Sequence, residues 1–222
     1  GMPREPVYPF GKISVPGYLR AWAEQKGDAV AIDFYGYQLS WRELDQLSDA
    51  FASYLYAEGI RPGDRVAVFL PNCPQFSIAF FGILKSGAIL PPVNPMVQDR
   101  ELAHYLHDSG SRLVVTLDKL APLVAEVNTD NTLKTLCTTL ADFLPGEPPI
   151  PVPAGALDSR VEVPGTSLFS DALKTPVNPD ALAKTDWDQI AAINYTGGTT
   201  GLPKGCLHTH GDMIYTGACA AT

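Results

Sequence analysis

The sequence predicts an α/β fold, with a mostly parallel, doubly wound sheet and helices on both of its faces. Short apolar, β-branched runs alternate with helix-length segments between residues 65 and 137. This strand–helix–strand order implies parallel pairing through right-handed crossovers. Apolar residues make up 45% of the 222 residues, which is enough to build a substantial core.

The first predicted element is an amphipathic helix that begins after Ser40. Ser40 and Glu43 fit a capping box, in which each side chain bonds the backbone N–H of the other residue. Apolar residues then recur at three- and four-residue spacing as far as Leu55, and Gly59 is suited to ending the helix.

The alternating strands and helices follow this first helix. The predicted strands are residues 65–70, 88–93, 112–117 and 134–137, and the predicted helices between them are residues 74–86, 99–109 and 121–127. Gly87 and Gly110 end the first two of these helices. Ligands of such sheets bind beyond the carboxyl ends of the strands, so that edge is where we expect a site.

Residues 144–185 have a different composition. They begin with LPGEPPIPVP and continue with small polar residues that show little periodicity. The stretch therefore predicts a long irregular connection. It is either a flexible linker between two domains or an excursion on the surface of one domain.

The segment at residues 195–205, YTGGTTGLPKG, predicts a polyphosphate-binding loop that follows the apolar strand at 190–193. Glycines let backbone N–H groups approach an anion, threonines add hydroxyl donors, and a lysine adds a mobile positive charge. The residues that we assign to phosphate are Thr196, Gly197, Gly198, Thr199, Thr200, Gly201 and Lys204. The segment is not a Walker A loop, because Lys204 is followed by Gly205 instead of Ser or Thr.

Composition excludes several other classes of protein. The net charge of −8 argues against a nucleic-acid partner, so any anion binding must be local. The four cysteines have neither zinc-site nor disulfide-framework spacing, which favours a reducing cytoplasm. The apolar run at 76–84 is too short to cross a bilayer, so no membrane span is expected.

The loop resembles the YTSGTTGxPKG signature of the adenylate-forming (AMP-binding) superfamily, which includes acyl-CoA synthetases, peptide-synthetase adenylation domains and luciferases. Residues 39–44, 59–95 and 101–116 resemble earlier blocks of the same family. Gly197 stands where the common signature has Ser. Such a glycine also occurs in fatty-acyl-CoA ligases, and it favours a fatty acid over an amino acid as substrate.

The resemblance also implies a domain assignment. Residues 1–222 would form the N-terminal portion of an AMP-binding domain, with residues 144–185 as a surface excursion, because the family has a variable stretch there. The later motifs of the family and its separate C-terminal domain, which carries a catalytic lysine, are absent from this sequence. We therefore expect the fragment by itself to be inactive.

The activity that the resemblance implies is that of an acid–CoA ligase. ATP activates a carboxylic acid as an acyl adenylate, and the acyl group then passes to CoA. Lys204 would be the catalytic residue of this segment, Thr196 would help to hold the Mg²⁺ that accompanies ATP, and Pro203 would stiffen the approach to Lys204. The alternatives are an adenylation domain that loads a carrier protein and a nucleotide-binding module without catalysis. Neither the particular acid nor the oligomeric state follows from the sequence.

Histidines give no metal site in this interpretation. His104 and His107 share a helix face, but two ligands without a third at recognisable spacing favour surface or partly buried histidines. His210 matches the histidine of the family's "TH" pair, for which a supporting role near the nucleotide and a packing role both remain open.

Overall fold

The computed structural model describes residues 6–196 and 202–220. The strands are β1 (Val30–Phe34), β2 (Tyr37–Ser40), β3 (Arg65–Phe69), β4 (Ser111–Leu117), β5 (Lys134–Thr138), β6 (Thr166–Leu168), β7 (Ile190–Thr196) and β8 (Lys204–Thr209). The α-helices are α1 (Val15–Lys26), α2 (Trp41–Ala57), α3 (Pro74–Lys85), α4 (Asp99–Ser109), α5 (Ala121–Val127), α6 (Phe169–Ala172) and α7 (His210–Ala220). Two short 3₁₀ helices lie at Leu140–Phe143 and Pro179–Ala181.

Strands β3, β4, β5 and β6 form a parallel sheet in that order, which confirms the predicted fold class. Alternate residues of β3 and β4 point to opposite faces of this sheet. The face packed with α2 and α3 presents Val66, Val68, Leu113 and Val115. The face packed with α4 and α5 presents Ala67, Phe69 and Val114. Helices therefore cover both faces, as a doubly wound sheet requires.

The predicted strand at 88–93 is an extended segment that connects the four-stranded sheet to β7. It makes isolated parallel bridges with β3 and with β7. The Leu90 N–H donates to the Ala191 carbonyl at 2.9 Å, and the Val93 N–H donates to the Val68 carbonyl at 2.8 Å. Because Pro91 and Pro92 lack an N–H, the segment cannot form a continuous ladder. It still lies between β3 and β7 and aligns the two strands.

The capping box at Ser40 is present. The Ser40 Oγ accepts the Glu43 N–H at 3.2 Å, and a Glu43 carboxylate oxygen accepts the Ser40 N–H at 2.9 Å. These bonds lower the pKa of the Glu43 carboxyl, because they favour its charged form. The cap therefore fixes where α2 begins, one residue after Ser40.

Residues 144–185 are more ordered than the sequence predicted. Within them, β6 pairs in parallel with β5, and α6 follows it directly. The Phe169 ring is fully buried and stacks edge-on with Phe51 of α2, with 5.0 Å between ring centroids. A three-residue strand and a four-residue helix are too short to show a period, so composition alone indicated an irregular stretch.

The structure also contains elements before residue 39 that no sequence pattern predicted. Helix α1 begins at a Ser14 cap, and β1 and β2 form an antiparallel hairpin. The two-residue turn of that hairpin has positive φ at Tyr35 (52°) and at Gly36 (90°). A tyrosine is an uncommon residue in this conformation, so the usual Asn-Gly or Asp-Gly signal of such a turn is missing.

A buried ammonium group joins α2 to α3. Lys85 is 2% exposed, and its Nζ donates to one carboxylate oxygen each of Asp45 and Asp49 at 2.6 Å and to the Asp45 carbonyl at 2.7 Å. Arg20 of α1 adds a second cation on Asp49 at 2.9 Å. All three ammonium protons therefore have acceptors, as a buried charge requires.

His210 at the start of α7 has a packing role. It is 1% exposed, its ring Nδ1 accepts the Val15 N–H at 3.3 Å, and its backbone N–H donates to the Gln189 carbonyl at 3.0 Å. Burial lowers the pKa of its imidazole to about 4, against an opposing influence of the Asp186 carboxylate. A neutral ring whose Nδ1 accepts a hydrogen bond holds α1 against α7.

Replacing Lys85 with Met should destabilise the fold by about 3 kcal/mol, because two carboxylates would then lie close together without their buried counter-ion. Urea unfolding of Lys85→Met beside the parent chain measures this effect. Lys174→Met is the matched control, since Lys174 is 75% exposed and, among residues 6–196 and 202–220, forms an ion pair with Asp171 alone, three residues earlier. The control should change stability by less than about 0.5 kcal/mol. Equal stability of the two variants would show that the buried pair contributes nothing.

Acidification should weaken the fold partly through His210. Its folded pKa lies below its unfolded value, so the unfolded chain binds the extra proton first and stability falls as pH drops from about 6.5 toward about 4. The unfolding free energy lost through His210 is roughly 3 kcal/mol once the residue is protonated in both the folded and the unfolded chain. His210→Asn keeps an acceptor near the Nδ1 position without titrating, so its unfolding free energy should fall less over this range. A curve for His210→Asn equal to that of the parent would contradict the assignment.

Candidate phosphate-binding site

The ends of the predicted phosphate loop are the ends of an antiparallel hairpin. Strands β7 and β8 pair with Thr196 opposite Lys204 and with Tyr195 opposite Gly205. The loop residues Gly197, Gly198, Thr199, Thr200 and Gly201 lie outside the described residues, so their assignment to phosphate stays a prediction. Thr196 and Lys204 are the two assigned residues that the structure describes, and the hairpin brings them together.

The hairpin places these residues at the expected edge of the sheet. β7 runs parallel to segment 88–93, which in turn runs parallel to β3. Thr196 is therefore at the same edge as the carboxyl ends of β3, β4 and β5, where doubly wound folds bind their ligands.

Both described residues of the loop face solvent. Thr196 and Lys204 are exposed. Within residues 6–196 and 202–220, Lys204 forms no ion pair. An ammonium group that no described carboxylate neutralises is available to an anionic ligand.

Gly205 is confined by the strand opposite. A Cβ at this position would lie 2.8 Å from the Ile193 Cγ2 and 3.4 Å from the Tyr195 Cζ. The first distance is shorter than a normal van der Waals contact, so a larger residue would push the two strands apart. The glycine after Lys204 therefore lets the Tyr195 ring lie across the hairpin.

Helix α4 supports the strand that leads into the loop. The Tyr195 ring stacks on the Tyr105 ring with 4.5 Å between centroids and 30° between planes. The Tyr195 hydroxyl donates to an Asp108 carboxylate oxygen at 2.8 Å. Burial, followed by this hydrogen bond and by the charge of Asp108, raises the pKa of the Tyr195 phenol well above its usual value. The hydroxyl is therefore a donor at neutral pH.

The same helix contacts the strand that leaves the loop. The His104 Nε2 lies 2.7 Å from the Pro203 carbonyl oxygen. A carbonyl oxygen can only accept, so Nε2 carries the proton in this bond. His104 is half-buried, whereas His107 one turn later is exposed. Both agree with the prediction of surface or partly buried histidines, but the contact with Pro203 was not predicted. The two partners are 99 residues apart in the sequence, and nothing in the sequence around His104 indicates the contact.

A groove lies at the opposite edge of the sheet from the hairpin. The groove, of about 500 Å³, is lined by residues near the beginnings of β4 and β5, including Arg112, Asp130 and Lys134. Lys134 is already paired with Glu58 at 2.6 Å. The groove is at the amino ends of the strands, whereas ligands of doubly wound sheets bind beyond the carboxyl ends.

The described part of the chain holds no group of three or more His, Cys, Asp or Glu side chains that could bind a metal ion. It also contains no helix long and apolar enough to cross a membrane. No disulfide joins Cys73, Cys137, Cys206 or Cys219 within the same residues.

Comparison with known proteins identifies the family. A model of the AMP-binding enzyme family matches residues 19–221. The long-chain-fatty-acid–CoA ligase of Bacillus subtilis (strain 168) is 35% identical over 223 residues, covering 96% of this chain and 40% of that protein. The crotonobetaine/carnitine–CoA ligase of Salmonella paratyphi B is 33% identical over 187 residues, covering 83% of this chain and 33% of that protein.

A solved structure gives the same result for the fold. The anthranilate CoA ligase AuaEII in complex with anthranoyl-AMP superposes with a TM-score of 0.76 at 21% identity, covering 92% of this chain and 36% of that one. The chain spans 40% or less of the length of each of these three proteins. Because the family model extends over nearly the whole sequence and includes the loop hairpin, the chain belongs to the AMP-binding enzyme family, the adenylate-forming superfamily.

Proposed function

We propose that the protein containing this chain activates a carboxylic acid with ATP and transfers the acyl group to CoA. A carboxylate oxygen attacks the α-phosphorus, the bond from that phosphorus to the bridging oxygen breaks, and pyrophosphate leaves. The thiol of CoA then attacks the acyl carbon, losing its proton, and AMP leaves. The observation that supports this function most directly is the pairing of Thr196 with Lys204 at the carboxyl edge of the sheet.

The chain's part in the reaction is to hold the polyphosphate. Negative charge is concentrated on the reacting phosphoryl group and on the departing pyrophosphate, and preorganised N–H groups, hydroxyls and a lysine stabilise it. Thr196 and Lys204 supply a hydroxyl and an ammonium group. The backbone of residues 197–201 supplies the remaining donors in this proposal.

Magnesium fits the same site through few protein ligands. Mg²⁺ is commonly bound by one or two protein groups together with substrate phosphates and water. Thr196 is exposed beside Lys204 and is the residue that we assign to the ion. The ion would neutralise phosphate charge during the transfer.

The proposed acid is a fatty acid, and the acceptor is CoA. The Bacillus subtilis relative, named as a long-chain-fatty-acid–CoA ligase, supports both choices. The relative named as a crotonobetaine/carnitine–CoA ligase has a similar identity to this chain, so short polar acids belong in any substrate panel. The cytoplasm is the proposed compartment, in keeping with thiols that form no disulfide within the described residues.

ATP–pyrophosphate exchange by the whole protein is the experiment that tests the function. Fatty acids of several lengths, crotonobetaine and aromatic acids form the panel, and CoA is compared with a phosphopantetheinylated carrier protein as the acyl acceptor. Exchange that depends on a fatty acid, followed by acyl-CoA formation, is the expected result. Transfer to the carrier alone would indicate a carrier-loading enzyme, and ATP binding without exchange would indicate a nucleotide-binding module.

Replacing Lys204 with Ala in the whole protein should slow adenylate formation much more than it destabilises the fold. One charge-assisted phosphate contact contributes about 1.5–3 kcal/mol, equivalent to roughly ten- to a hundredfold in rate. The exchange rate and the thermal midpoint are measured together. Lys184→Ala is the control, since Lys184 is also exposed but lies before β7. Exchange in Lys204→Ala equal to that of the control would remove Lys204 from the site.

The 222-residue chain alone should bind Mg-ATP weakly and should not turn over. It spans 40% of the Bacillus subtilis relative, and adenine, ribose and water-excluding contacts are expected from other parts of such an enzyme. Each lost group of contacts lowers affinity about tenfold per 1.4 kcal/mol. Calorimetric titration with Mg-ATP is run beside an acyl-CoA synthesis assay, with the Lys204→Ala chain as the control for binding through the loop. Micromolar affinity together with turnover would show that these residues suffice for catalysis.

A further inference from the structure

Helix α4 contacts both stems of the proposed phosphate loop. Tyr195, one residue before the end of β7, is held by the Tyr105 ring and the Asp108 carboxylate. Pro203, one residue before β8, is held by the His104 imidazole. The three helix residues lie within two turns, so a single rigid element fixes the distance between the stems and the sheet.

The bond from His104 has a specific consequence for Lys204. The Pro203 carbonyl and the Lys204 N–H belong to the same peptide group, and the described residues contain no cis peptide bond. A trans peptide is planar, with its C=O and N–H pointing in opposite directions. By fixing the direction of the Pro203 oxygen, His104 also fixes the direction of the Lys204 N–H and the point at which the Lys204 side chain leaves the backbone.

The surroundings of His104 favour orientation of the Pro203–Lys204 peptide over direct contact with a ligand. Its Nε2 is used on a backbone oxygen, and its ring lies edge-on to Tyr195 with 5.9 Å between centroids. No third metal-ligating side chain accompanies it among the described residues. The imidazole is thus occupied with the loop stem, and any influence on the ligand passes through Pro203 and Lys204.

We infer that His104 is a positioning residue for the phosphate loop: through the Pro203 carbonyl it orients Lys204 toward the polyphosphate of ATP. The inference rests on the proposed function. It goes beyond the motif itself, because it assigns a task to a residue about a hundred positions earlier in the chain. The anchoring of Tyr195 by Asp108 supports the other stem in the same way.

The kinetic test compares His104→Ala and His104→Gln in the whole protein. Loss of one hydrogen bond to the stem should lower kcat/KM for Mg-ATP by about five- to tenfold in His104→Ala. The KM for the carboxylic acid should stay within about twofold of the parent value, since the proposed contact acts on the residue assigned to phosphate and not on the acid. His104→Gln should recover most of the activity, because its amide can donate to the Pro203 oxygen.

His107→Ala is the matched control. His107 lies on the next turn of α4 but is exposed, and among the described residues neither the Tyr195 nor the Pro203 hydrogen bond involves it. Parent-like kcat/KM in the control and a loss confined to His104→Ala support the inference. An equal rise in KM for both substrates with a lowered Tm would overturn it, because that result indicates a purely structural role. Failure of His104→Gln to restore activity would also overturn it.

A second measurement separates this inference from the proposed function. Hydrogen–deuterium exchange of the 222-residue chain, without substrates, reports on the last pairs of the hairpin at Tyr195, Thr196, Lys204 and Gly205. Amide exchange at these four residues should be about five- to tenfold faster in His104→Ala than in His107→Ala. In His104→Gln it should be slower than in His104→Ala. If the parent protein catalyses no pyrophosphate exchange with any acid, the proposed function fails while this comparison still tests the contact. Unchanged amide exchange in His104→Ala would refute the positioning role by itself.

Discussion

The position of the candidate site depends on the hydrogen bonds of one short extended segment. Residues 88–93 pair in parallel with β3 on one side and with β7 on the other. Without this backbone pairing, the β7–β8 hairpin would be separate from the four-stranded sheet. With it, Thr196 and Lys204 reach the carboxyl edge, where the ends of several strands meet. A backbone alignment, more than any single side chain, therefore decides where the residues assigned to phosphate lie.

The two helix layers contribute differently to this arrangement. The α2–α3 layer is fixed by the capping box at Ser40 and by the buried Lys85 network. The α4 layer contacts the loop stems directly through Tyr105, Asp108 and His104. Preorganised donors are effective because their orientation does not have to be achieved during the reaction. The α4 layer thus holds the loop stems in place for the proposed chemistry, whereas the α2–α3 layer mainly stabilises the sheet.

The sequence predicted the parts of the fold whose signals are local. The capping box marked the start of α2, and the apolar runs in 65–137 marked β3, β4, β5 and the helices between them within one or two residues. It did not predict β6, α6 or the β1–β2 hairpin, because these elements are very short or have unusual turn residues. In the site, the order of glycines, threonines and lysine predicts phosphate binding, and this stays a prediction. The His104–Pro203 contact depends on tertiary packing across 99 residues, and no periodicity indicates such a contact.

Electrostatics explains why the proposed site needs a preorganised loop. The net charge of −8 disfavours the approach of a polyphosphate. Screening at physiological ionic strength limits the range over which any charge acts to about 8 Å. Attraction must therefore come from groups within contact distance, of which Lys204 carries the only formal positive charge in the segment from Tyr195 to Gly205. One mobile ammonium group stabilises a transition state well only when its backbone is held in place. The proline before it and the histidine on α4 both restrict that backbone, so the single charge stands on a restrained stem.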